Sequence, residues 1–226
     1  MSIYLVEGPQ AETFMTMAAT ETGSKAMLGD PEQFEAGVGP NITQAAITLR
    51  DNVAKVAALK TDETRTLVQQ HEAAAILSER TVQSLEKAKT AISERAEYLT
   101  QAGQEEAAAV FELAPSRRFV HEKILEHFVG LAGKAEGLML MRQIIRTDAA
   151  AVFFNTKPYL LNMNAENFHK IRFEAVEQYA PKAWEKMTAV VKLVELPAKY
   201  DRTIQAVKGS FHNPTLAARA KSRVEV

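Results

Sequence analysis

An all-α fold follows from three features of this sequence. Between Pro40 and Gly103 lie 62 residues without a glycine or proline, apolar side chains recur at helical spacing around that stretch, and nothing alternates in a strand–helix–strand pattern. Glycine and proline fill 18 of the 226 positions, so a given window of that length lacks both by chance only about 0.6% of the time. The stretch reads as uninterrupted helix, and as a single rod it would extend about 93 Å.

Residues 1–40 hold five of the ten glycines and three of the eight prolines. One short edge strand is expected at residues 2–6 and a short helix at 11–20; the remainder lacks a period and reads as an extended arm that buries too little to order alone. The first long helix should start at Asn41, a good N-cap after Pro40, with Ile42, Leu49 and Val56 in one row and Ala45 and Leu59 between them. A second register follows, with Leu85, Ile92 and Leu99 in one row and Leu67, Ala74, Thr81 and Ala88 in its partner. The slip between registers falls at residues 60–66, where Thr61, Asp62 and Thr64 are weak helix formers and Thr61 can cap a new helix. Two arrangements fit: one rod with a local irregularity, or helices of about 20 and about 40 residues meeting at a bend. The rod is favoured because the apolar face drifts there instead of reversing.

The seam is thin. Ala45, Ala74, Ala88 and Ala102 contribute little area, and His71, Ser78 and Arg95 interrupt it, so the helix is expected to pack in an elongated bundle with later helices or other subunits. Gly103 should end it, with a short helical piece over 104–114. Ser116 then caps a helix expected to run to Phe154, its face formed by Phe119, Val120, Ile124, Phe128, Leu131, Leu138, Met141, Ile144 and Ile145. Residues 155–163 read as a loop around Pro158. Asn164 caps the next helix, in which Phe168, Ile171, Ala175 and Tyr179 share a face, and Pro181 kinks it or opens a new segment. Residues 197–208, closed by Gly209, give a last short helix. The organisation expected is an arm (1–40), a helical bundle domain (41–209) and a tail (210–226).

Composition bounds the chemistry. Hydrophobic residues make up 46% of the chain and charged ones 24%, ordinary values for a domain able to bury a core. The absence of cysteine removes disulfides, thiolate metal sites and thiol nucleophiles. Residues 1–9 lack the basic and long apolar regions of a secretory signal, and the most apolar stretch, 128–145, is interrupted by Lys134, Glu136 and Arg142. No signal and no membrane span are expected, and the localisation that fits is cytoplasmic or within a virion. The net charge of −1 is unevenly placed: residues 1–40 carry −5 and residues 197–226 carry +4, which suits pairing between neighbouring copies.

Motifs that carry catalysis are missing. There is no GxxxxGK[ST] or GxGxxG loop and no G-x-S-x-G elbow. His121, Glu122 and His127 do not form a zinc-protease helix, because a spacing of six turns the histidines about 120° apart. Glu166 and His169 form a single ExxH, and a di-iron bundle needs two. No cofactor and no metal are expected. Gly130, Gly133 and Gly137 fall on one helical face if their helix is continuous, and so read as a place of close helix approach. Arg117 and Arg118 open a helix against its dipole and mark an acidic-partner contact, or else pair with Glu105, Glu106 or Glu112 upstream. Arg219, Lys221 and Arg223 make the tail basic, but three cations without interleaved aromatics do not make a nucleic-acid surface. Tyr179, Trp184 and Met187 read as core or interface anchors.

The function expected is that of a non-enzymatic structural protein of a large multi-subunit assembly, such as a bacteriophage-like virion or a secretion machine. Its partners would be protein subunits, met through Leu67, Leu85, Ile92 and Leu99 of the long helix, the glycine face, the arginine pair and the terminal arms. Two alternatives come from other classes: an amphipathic helical protein that acts on membranes through residues 128–154, and a helical-bundle enzyme or ligand carrier with a buried polar constellation.

Overall fold

The computed structural model describes residues 3–34, 37–132, 134, 136–144 and 147–221, and among them every regular element is a helix. The residues form two compact units, Met1–Ala96 with Val191–Val226 and Glu97–Val190.

In the first unit, α1 (Pro9–Ala18) and α2 (Glu21–Leu28) pack on each other and on α3 (Gly39–Lys60) and α10 (Leu196–Ser210). The helix expected at 11–20 is thus α1, and a second follows it. Thr20 caps α2 by accepting the Gly23 N–H at 3.0 Å, and Gly29 ends it at φ 98, a backbone region that L side chains rarely adopt. Met15, Ala18 and Leu28 are fully buried, so this stretch is part of the core. Residues 3–6 form bends, and no strand occurs among the described residues.

The expected rod is two helices. α3 ends at Lys60 and α4 runs from Leu67 to Val110, 22 and 44 residues long. They reverse direction across the bend: Asn52 reaches Thr81, while Lys55, Leu59 and Asp62 line one groove with Arg80, Leu77 and Ala73. The turn needs neither glycine nor proline because side chains replace the helical bonds. The Thr61 hydroxyl donates to Ala58 O at 3.1 Å, and the Asp62 carboxylate accepts the Thr64 N–H (3.0 Å) and hydroxyl (2.5 Å). The new helix is capped by Thr66 rather than Thr61. Gln69 N–H donates to the Thr66 hydroxyl at 3.4 Å while Thr66 N–H donates to the Gln69 side-chain oxygen at 2.9 Å, a reciprocal capping box. The Gln70 amide closes the bend on Asp62 O at 2.9 Å.

α4 does not stop at Gly103. The helix passes through it beside α9 (Pro181–Val194), and a Cβ there would lie 3.4 Å from Met187 Cγ and 3.5 Å from Ala183 O, ordinary contact distances that an alanine would also fill. The single helix expected from Ser116 to Phe154 is three: α5 (Arg118–Ala132), after a 3-10 turn at Pro115–Arg117, then α6 (Gly137–Ile144) and α7 (Thr147–Asn155). Gly137 shows why the first break occurs. A Cβ on it would sit 1.9 Å from the Leu131 carbonyl oxygen, so the chain folds back on itself at a distance only glycine permits.

α7 packs between α5 and α8 (Ala165–Tyr179), and the core of the second unit is a run of aromatic rings. Phe111 stacks on Phe154 at 4.7 Å, Phe153 on Phe168 at 5.0 Å, and Phe128 meets Phe153 edge-on at 5.6 Å. Asn164 caps α8 through the Asn167 N–H at 2.8 Å, and Pro181 opens α9, both as the sequence indicates. Tyr179, Trp184 and Met187 pack on this core, half-buried. α11 (Pro214–Lys221) adds a helix to the stretch read as tail.

Candidate assembly surface

The rows of the long helix are turned inward. Leu85, Ile92 and Leu99 are buried within the chain, as are Ala74, Thr81 and Ala88, so these leucine-row side chains offer nothing to a partner. Leu67 differs: it starts α4 and is 53% exposed. Two of the seam interruptions, His71 and Ser78, are buried as well, and His71 accepts the Asn213 N–H through Nδ1 at 3.0 Å.

The glycine face does not form. Gly130 lies exposed on α5 with nothing near its absent Cβ, Gly137 is buried at the start of α6, and Gly133 lies outside the described residues. Arg117 and Arg118 are paired, though not with the upstream glutamates. Arg117 forks onto Asp148 at 2.8 and 2.5 Å, and Arg118 meets Glu122 at 2.9 Å, both at the surface. Such half-exposed pairs contribute at most about 1 kcal/mol each. Arg219 is exposed on α11 and engaged there; Lys221 ends that helix, and Arg223 lies outside the described residues.

Large apolar side chains are exposed at several places among the described residues, Ile3, Tyr98 and Val194 included, and the two most exposed were not anticipated. Phe119 (71%) and Tyr159 (74%) stand out from α5 and from a 3-10 segment, Pro158–Leu161, that packs on α5. Val120, Val129 and Leu160 are exposed on the same two elements. The segment is anchored by Leu161, which is buried in the aromatic core, and it turns at Asn162 in the left-handed region, φ 46, so Tyr159 and Leu160 are directed outward by a fixed turn. The core-facing stripe of α5 runs through Ile124, Leu125, Phe128 and Leu131, which leaves Phe119 beyond its end. Lys123 lies over the Phe119 ring at 5.7 Å and covers only part of it.

Among the described residues no three histidine, aspartate or glutamate side chains gather to hold a metal, and Glu166 and His169 are both exposed. The groove between α3 and α4, about 540 Å³, is open and lined by Lys55, Leu59, Arg65, Ile76 and Arg80 among others. No described helix is long and apolar enough to cross a membrane. Compared with models of protein families, with curated proteins and with solved structures, the chain matches none.

Proposed function

We propose that the chain is a non-enzymatic structural subunit of a large assembly, of the kind that builds virions or secretion machines, and that it meets neighbouring copies through the apolar side chains of α5 and Pro158–Leu161. The observation that carries this reading is the exposure of Phe119 and Tyr159 on two adjoining elements that are themselves anchored in a core. Large aromatic side chains held outward on a rigid support are the residues that dominate protein interfaces. The long helix acts in this scheme as an internal strut, since its leucine rows are already covered.

Light scattering over a range of concentrations tests it. The wild-type chain is expected to associate as concentration rises, and a Phe119→Glu/Tyr159→Glu variant with unchanged helicity to remain monomeric. A wild-type chain that stays monomeric at every concentration overturns the proposal. Binding of the same side chains to anionic liposomes in place of self-association would favour the membrane-acting alternative.

A further inference from the structure

His71 lies on α4, 2% exposed, and its Nδ1 accepts the backbone N–H of Asn213 at 3.0 Å, joining positions 142 apart in sequence. An accepting Nδ1 carries no proton, so the ring is neutral with its hydrogen on Nε2. Asn213 is itself the cap of α11, taking the N–H of Thr215 at 2.9 Å and of Leu216 at 3.4 Å on its side-chain oxygen. The bond from His71 therefore grips the residue that organises the helix start. Burial adds little to this bond, since of residues 212–220 only Ala217 is buried, with Leu216 and Ala220 partly covered and Arg219 engaged at the surface. Beside it, His212 is half-buried with an Nδ1 that is enclosed and has no hydrogen-bond partner.

We propose that His71 is an acid-sensitive latch that holds the segment 212–221 on its unit, and that protonation of the imidazole releases the segment. A proton on Nδ1 would face the Asn213 N–H donor to donor, replacing an attraction with a repulsion. The groups around it give the cation no counter-charge. Lys60 from the end of α3 and His212 from the segment itself both oppose it. Glu7, before α1, is engaged by Lys60 at 3.4 Å and Asp62, in the bend, by Thr64 and by Arg65 at 3.0 Å, while Glu72, next along α4, is half-buried. Burial first, then His212 and Lys60, hold His71 below its ordinary value of 6.5, and burial does the same for His212. Because the held state takes up protons less readily than the released one, the latch is fully closed above about pH 6.5 and weakens as pH falls below that. The released piece is a short basic helix, which separates from α4 without disturbing the buried rows at Leu85 and Ile92.

Hydrogen exchange of the full chain, corrected for the pH dependence of intrinsic exchange, tests the latch. Between about pH 8 and about pH 5, protection of the amides in 212–221 is expected to fall by roughly tenfold or more while peptides covering 85–92 stay protected. His71→Asn, which keeps a side-chain acceptor but cannot titrate, is expected to leave only the part of that dependence that His212 supplies, and His71→Asn combined with His212→Asn to remove it. Protection that does not change with pH in the wild type, or a dependence as large in His71→Asn as in the wild type, overturns the proposal. If His71→Asn does not fold, an NMR titration of the wild-type imidazoles decides: protonation of His71 together with opening of the segment supports the latch, and opening while His71 stays neutral refutes it.

Discussion

The side-chain amide of Asn52 donates to the hydroxyl of Thr81 at 2.9 Å, buried between α3 and α4 and bridging 29 positions across the hairpin. The Thr81 hydroxyl in turn donates to Leu77 O at 2.7 Å. Among the alanines and leucines of this seam, the pair sets which residues of the two helices face each other.

Thr81→Val leaves the Asn52 amide buried without an acceptor and is expected to destabilise the chain by about 1–3 kcal/mol. Asn52→Leu combined with Thr81→Val removes both polar groups and should recover most of that loss. Urea unfolding of the two singles and the double gives the coupling energy; strictly additive losses would show that the bond is not specific.

The bend between the helices is expected to depend on Thr66 and Asp62. Thr66→Ala removes half of the capping box and should cost about 1 kcal/mol. Asp62 is held below the ordinary carboxylate range first by the Thr64 hydroxyl, then by the Thr64 N–H. Its contribution is thus present above the ordinary value near 3.8 and is lost as pH falls through the lower folded value. Unfolding midpoints followed into acid should lose part of this dependence in Asp62→Ala; an identical acid profile would show that the bend does not need the carboxylate.

Two glycines give opposite expectations. Gly137→Ala drives a Cβ to within 1.9 Å of Leu131 O, a backbone atom that cannot move aside, and should destabilise by about 2 kcal/mol or more. Gly130→Ala meets open space within a helix and should stabilise by about 0.5–1 kcal/mol. Thermal unfolding of the two variants reads the contrast directly.

The Arg117–Asp148 fork is half-exposed on both sides, so Arg117→Ala should change stability by less than about 1 kcal/mol. A larger loss in denaturant titration would mean that the fork is needed to hold α7 in place.

Much of the fold was legible because local chemistry decides it. The rows Ile42–Leu49–Val56 and Leu85–Ile92 are buried as their spacing indicates, and Asn164 and Pro181 open helices where capping rules put them. The bend at 61–66 showed as a slip of register but not as a reversal, since turning back leaves the period of each arm intact. Its signature was the T-x-x-Q of Thr66 and Gln69. Gly103 does not end its helix because a single glycine costs a 44-residue helix too little to stop it, and the role of Gly137 is set by the Leu131 carbonyl that approaches it, a proximity not written in a local pattern. The surface was hidden for a similar reason. Leu85 and Phe119 are both apolar on helices, and only the packing of neighbouring elements determines that one turns in and the other out.

Phe119 and Tyr159 are proposed to become covered when the chain takes its place beside other copies. Hydroxyl-radical footprinting of dilute and assembled protein measures it at those two rings. Strong labelling of both is expected in the dilute chain and marked protection in the assembly, with buried Phe128 and Phe153 unlabelled in each. Equal labelling of Phe119 and Tyr159 in the two states would contradict it.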